Sequence, residues 1–180
     1  MERWKVNISL INEKKLENTY NFITHCIFDN QERIFRWKLL HHILPNGILL
    51  HKWKIVTSPN CVKCNTEENY LHYFVLCKEL ETLWTLVRQF FSTIGYNTEM
   101  KSLENIVLGY KVEIEAHKEV NLLLSLIGYV IYKHYHKTER RRNYRNIFLI
   151  LKTELKIRSK LIKYKEFKIF EQFAEYLDLN

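Results

Sequence analysis

CVKCNTEENYLHYFVLC, residues 61–77, is the stretch from which the rest of the chain can be read. Two residues separate Cys61 from Cys64, seven more lead to His72, and four more to Cys77. Three thiols and one imidazole are the ligand set of a closed structural zinc site, in which soft sulfur and nitrogen donors form a tetrahedron. A Cys-x2-Cys pair can lie on a tight knuckle with both sulfurs facing one point. His72 and Cys77, five apart, span about one helical turn and can return to that point. Two other readings compete: ordinary buried cysteines, and a redox Cys-x2-Cys. Of the chain's four cysteines only Cys26 lies outside this window, which argues against the first. The second lacks the βαβ pattern it needs.

The chain has 180 residues, 47% of them apolar and 14% aromatic, with four Gly and two Pro. That is long enough to bury a sizeable core, and the composition is globular and helix-leaning. Met-Glu-Arg-Trp-Lys at the start has no apolar stretch of a signal peptide, so reduced thiols and an intracellular site, nucleus or cytoplasm, are expected. The longest apolar run, 120–132, contains Asn121, Ser125 and Gly128 and is too short for the ~20 residues of a membrane span.

Outward from the knuckle, apolar spacing marks helices. Upstream, 31–44 is one, with Ile34, Trp37 and Leu44 in one row and Phe35, Leu39 and Ile43 in the next; Pro45 requires it to stop near Leu44. Asn46 is placed to cap a short helix over 48–55. Residues 1–20 fit a short strand or an irregular arm, and 21–27 a short helix ended or capped at Asp29-Asn30. Asn65 or Thr66 is expected to cap a helix carrying His72. Downstream, 79–91 is amphipathic and broken at Gly95; Ser102 and Gly109 bracket 103–108; and 113–137 is apolar nearly all round, which argues burial. Two more helices are expected over 145–163 and 167–177. The expected fold is mostly α: an irregular helical domain stapled by a Cys3His zinc knuckle, with long basic C-terminal helices. Residues 1–112 and 113–180 form its two parts, packed as one unit.

Charge is uneven. Residues 133–168 hold thirteen Lys and Arg against three acids, a net of +10 within a chain whose total is +8, so the remainder sums to −2. A basic surface of this kind suits an acidic partner. Lys133, Lys137, Arg140, Arg141, Arg142 and Arg145 form its densest part, and Arg33, Arg36 and Lys38 a second patch. The bland readings are a solvated helix end or an import signal. Trp37, Trp53 and Trp84 sit at helical spacings that favour core packing over base stacking. Tyr73, inside the knuckle, is the better stacking candidate. His41, His42 and His51 read as partly exposed side chains rather than ligands, and His25 beside Cys26 lacks the third group of a nucleophile pair.

Residues 33–84 resemble the zinc-binding region that follows the polymerase in reverse transcriptases of non-LTR (LINE-type) retrotransposons. The features are Phe35-Arg36-Trp37-Lys38-Leu39-Leu40-His41, Leu44-Pro45-Asn46, Leu49-Leu50, Cys61/Cys64, the acidic Glu67-Glu68, His72-Tyr73-Phe74-Val75-Leu76-Cys77, and Trp84. Weaker similarity runs from Asn121-Leu122-Leu123-Leu124 to Tyr132-Lys133. Asn46, Tyr70 and Lys78 depart from the family's usual Thr, Thr or Ser, and Pro, and none of these is a ligand. The polymerase and endonuclease signatures are absent from this sequence.

The resemblance implies a non-catalytic module that holds RNA or DNA with little base specificity, beside a separate polymerase or endonuclease module. Neither a membrane nor a small-molecule substrate is expected as partner. With four protein ligands, zinc keeps no open position for an activated water, so no enzymatic role is expected of it. A protein-interaction module and a retrotransposon remnant without selected activity are the alternatives.

Overall fold

The computed structural model describes residues 13–96, 102–111, 117–137, 144–164 and 166–179. Among them are eight α-helices: α1 (Glu13–His25), α2 (Asn30–Leu40), α3 (Gly47–Lys52), α4 (Glu81–Thr93), α5 (Leu103–Leu108), α6 (Lys118–Lys137), α7 (Tyr144–Lys160) and α8 (Ile169–Leu179). Among the described residues there is no strand, and no helix is long and apolar enough to cross a membrane.

α6 is the axis of the assembly. Its residues 120–131 are buried all round, as their composition requires. At Gly128 the absence of a side chain matters: a Cβ there would lie 3.4 Å from Ile106 and 3.5 Å from Phe35, so α2 and α5 approach α6 closely at this point. Phe35 stacks on Tyr132, their ring centroids 5.1 Å apart. On another side α7 lays down Ile147, Leu151 and Leu155, and α8 packs Phe173 against Phe90 of α4 at 4.7 Å.

Capping follows local chemistry. The Asp29 side chain accepts from the Glu32 N–H and starts α2, Asn46 accepts from Leu49 to start α3, and Ser102 accepts from Asn105 to start α5. Gly109 ends α5 at φ +87°, a region that favours glycine. α2 stops four residues before Leu44, turning through His42 at φ +59° rather than running up to the proline.

Three expectations need correction. Residues 13–25 form a helix, not a strand or arm. Its inward face is half polar: Lys15 bonds Glu104 at 2.6 Å, and the Thr19 hydroxyl donates to the Leu108 carbonyl at 2.7 Å, which hid the helix from an apolar-spacing argument. Residues 1–12 lie outside the described residues. The buried face of α2 is Glu32, Phe35, Arg36, Leu39 and Leu40, so Ile34 and Trp37 face solvent, Trp37 being 48% exposed. Trp53 is likewise 48% exposed, and of the three tryptophans weighed for the core only Trp84 is buried.

Two buried ionic groups tie distant segments. Glu32 on α2 meets Arg158 on α7 at 2.7 Å, accepts from the Ser125 hydroxyl of α6 at 2.6 Å, and Arg158 also donates to the Tyr164 hydroxyl at 3.0 Å. Burial pulls the Arg158 pKa down, but Glu32 together with Tyr164, Glu154 and Asp29 outweighs it and holds the guanidinium above its ordinary value. Arg36 donates to the carbonyls of Ile106 and Val107, satisfying the C-terminal end of α5 where unpaired carbonyls gather.

Candidate metal centre

The knuckle begins with a short loop closed by its own backbone. Cys61 N–H donates to the Thr66 carbonyl at 2.8 Å, Asn65 N–H donates to the Cys61 carbonyl at 2.9 Å, and Asn60 and Glu67 pair as an isolated bridge. Asn65 takes φ +55°, a left-handed conformation that asparagine tolerates better than most residues. The loop therefore turns both Cys61 and Cys64 inward.

The second half is a π-helical turn, His72–Leu76, closed by the Cys77 N–H donating to the His72 carbonyl at 3.1 Å. A bond from residue i to i+5 sets these two ligands one wide turn apart, on the same side. The cap is Asn69, whose side chain accepts from the His72 N–H at 2.8 Å. Neither Asn65 nor Thr66 fills that role: Asn65 makes the left-handed turn, and Thr66 meets the histidine ring.

The donor atoms of Cys61, Cys64, His72 and Cys77 all lie within 4.8 Å of one another. Cys64 and Cys77 sulfurs are 3.8 Å apart. A tetrahedron with zinc–sulfur arms of about 2.3 Å has edges of about 3.8 Å, so this separation is that of two ligands on one ion. It is far too long for a disulfide. His72 supplies the second test. Its Nδ1 lies 3.2 Å from the Thr66 hydroxyl, whereas its Nε2 is buried with no hydrogen-bond partner. When Nδ1–H donates to Thr66, Nε2 carries the lone pair, as a metal ligand oriented by its outer hydrogen bond would. The residues fit zinc, which when bound would offset two of the three thiolate charges and cross-link the two halves. Without it, the hydrogen bond with Cys77 and burial push the Cys61 thiol up to about 12. Metal uptake must therefore release protons.

The surrounding shell moors the knuckle to the bundle. Glu68, fully buried, accepts from the Gly47 N–H at 2.8 Å and from the Tyr135 hydroxyl of α6. Tyr70 donates to the Leu44 carbonyl at 2.6 Å, and Trp84 Nε1 donates to the Phe74 carbonyl at 2.8 Å. Glu68, read in the sequence only as part of a polar tip, was legible at best as one of two adjacent acids; nothing local marks which one turns inward.

The proposed nucleic-acid residues are scattered by comparison. Tyr73 is 1% exposed, its ring 4.5 Å from those of Phe74 and Tyr135, so it has no face to offer a base. Arg36 is spent on α5 and buried, and its pKa is lowered to about 10 by burial, against the pull of Glu32. Both are corrections to the sequence reading. Arg33 is partly exposed and donates to the Ile27 carbonyl at 2.9 Å; Lys38 is partly exposed on α2. Lys133 pairs with Glu154 at 3.0 Å, and Arg145 is exposed at the start of α7. Arg140, Arg141 and Arg142 lie outside the described residues, as does the side chain of Lys137. His41 and His51 bond Tyr20 and the Val56 carbonyl, away from the sulfur cluster; Cys26 is buried and His25 exposed.

No curated protein and no solved structure matches the chain. Residues 4–84, a little under half of the chain, match the family model described as zinc-binding in reverse transcriptase. The match spans α1 to the first residues of α4, including all four ligands and the Trp84 that anchors the π turn. Over this region the chain carries a zinc-binding domain like that of reverse transcriptases.

Proposed function

We propose that this protein is a non-catalytic module that binds RNA or DNA through phosphates, with zinc as a structural staple and the helices downstream supplying charge. The observation that carries the reading is the closed donor set: four side-chain donors lie within 4.8 Å of one another, enough to fill every position of a tetrahedral ion. Such an ion shapes a surface and activates nothing.

Charge supports the partner class, in a reduced form. Of the thirteen cations in 133–168, Lys133, Lys152, Lys156 and Arg158 are engaged by Glu154, Asp178 and Glu32. Lys160, Lys163 and Lys168 are exposed, as is Arg145. The surface left for phosphate is smaller than the sequence count. Binding measured by fluorescence anisotropy over a salt series tests the reading. Log affinity should fall linearly with log salt, with a slope near −0.9 per phosphate neutralised on duplex DNA and about −0.7 on single strands. Replacing Arg140, Arg141 and Arg142 together by Gln should weaken all sequences alike. A flat salt response overturns it. Half-exposed Trp37 and Trp53 favour a protein-docking module as the second reading, for which the triple replacement would change nothing.

A further inference from the structure

Between α2 and α6 runs an open groove of about 390 Å³. One wall is Gln31, Ile34 and Lys38, three positions on one stripe of α2; the other is Tyr129, Tyr132 and Lys133 on α6, with Phe35 beneath. The floor is aromatic: Tyr132 is its partly exposed ring, backed by buried Phe35, nearly parallel to it (29°), and by buried Tyr129, 5.7 Å from Phe35. The rim is polar and cationic. Lys133 Nζ is 5.6 Å from the centre of the Tyr129 ring while bonding Glu154, and Lys38 stands on the opposite wall. Ile34, half exposed, lines the mouth.

We infer that this groove is a binding site for an unpaired base of single-stranded nucleic acid, with the ring laid on Tyr132 and Ile34 and the flanking phosphates held by Lys38 and Lys133. It rests on the nucleic-acid reading above and adds to it the state of the strand. Flat π-faces on aromatic side chains accept any base, which suits a site with an aromatic floor and a single amide, Gln31, at its edge. A duplex hides those faces in its own stack. Two cations facing each other across an apolar slot complement a phosphodiester chain that enters on one side and leaves on the other. The ion pair to Glu154 positions Lys133 at the rim, and phosphate can share the ammonium's remaining protons, since lysine carries three.

The test uses the zinc-loaded full chain and labelled twelve-residue probes: oligothymidylate, oligouridylate, the abasic deoxyribose-phosphate of equal length, and a blunt duplex. At one moderate salt concentration the base-bearing strands should bind about tenfold more tightly than the abasic strand, the scale of one stacked base. Tyr132→Leu should abolish that difference and leave abasic binding unchanged. Ile34→Glu, at an exposed position that leaves the core intact, should remove it too. Zinc content and melting temperature report whether each variant is folded. Irradiation with a 4-thiouridine strand should cross-link α2 or α6 within this groove. Abasic and base-bearing strands bound alike, or a preference that survives both variants, overturns the groove while leaving phosphate binding standing. Failure to bind any of the four probes overturns both readings.

Discussion

Residues 61–77 hold two backbone segments together through four donor atoms around one point; the crossing of α2, α6 and α7 is held by one buried carboxylate and one buried guanidinium 2.7 Å apart. Both staples solve the same problem, since each brings groups into the interior that would be costly there alone. In the knuckle a bound zinc ion would offset two of the three thiolate charges, and the surroundings orient the ligands. At the crossing the protein supplies both signs, and Ser125 and Tyr164 take up part of the remaining hydrogen-bonding capacity. A metal staple is thus removable by a chelator, whereas the ionic one is broken by protonating Glu32, whose pKa burial raises, or by changing the chain.

The largest effect should come from removing the metal. Metal binding contributes on the order of 10–16 kcal/mol in isolated zinc-finger peptides, and even a fraction of that exceeds what a short polar loop gains by burial. Cys77→Ser, or a strong chelator, should abolish stoichiometric zinc. Hydrogen-exchange protection should disappear across 61–77 and weaken at the C-terminal end of α6, where Tyr135 is bonded to Glu68. α7 and α8, which pack chiefly on each other and on α6 and α4, should keep theirs. Uniform loss along the chain would show that the two staples are one cooperative unit, and a chelator without effect would remove the metal from the account.

Next comes the ionic staple. Glu32→Gln leaves Arg158 buried without its counter-charge and should cost roughly 3–5 kcal/mol in urea unfolding, with zinc stoichiometry unchanged. Replacing both, Glu32→Leu with Arg158→Met, should recover most of that loss, because an apolar pair of similar size needs no partner. If the double variant is no better than the single, the pair is doing something beyond satisfying itself.

The same contrast explains what was legible in advance. Four ligands within seventeen residues form a local pattern that chemistry interprets without knowing the fold, and the Ser102 and Asn46 caps are local in the same sense. Glu32 and Arg158 sit near opposite ends of the chain, and nothing nearby in sequence couples them. Arg36 reads as one of three basic residues on a helix, yet it faces inward because α5 ends where it can reach two carbonyls. Tyr73 reads as an aromatic inside the knuckle, available for stacking. The π turn rotates it into the core beside Tyr135, a placement that an ordinary helical spacing does not produce. Charge counting overstated the available surface for a related reason: the acids that compensate it, Glu32 and Asp178, lie outside the basic stretch.

The smallest effect sharpens the boundary between the two regions. Ser102→Ala and Asn46→Ala each remove one capping oxygen, worth about 1 kcal/mol and a shift of a few degrees in melting temperature. The two caps stand in different neighbourhoods. Ser102 serves α5, which packs beside the His72–Leu76 turn but whose capping bonds come from Ser102 at one end and Arg36 at the other. Asn46 serves α3, and the adjacent Gly47 N–H is satisfied by Glu68 from inside the knuckle. If zinc holds Glu68 in place, α3 is properly formed only in the loaded protein. The cost of Asn46→Ala should then shrink toward zero after chelation, while that of Ser102→Ala stays the same. Measuring both substitutions with and without chelator separates the cases, because an undiminished Asn46 effect would mean that α3 stands without the metal and that the staple's reach ends at residue 61.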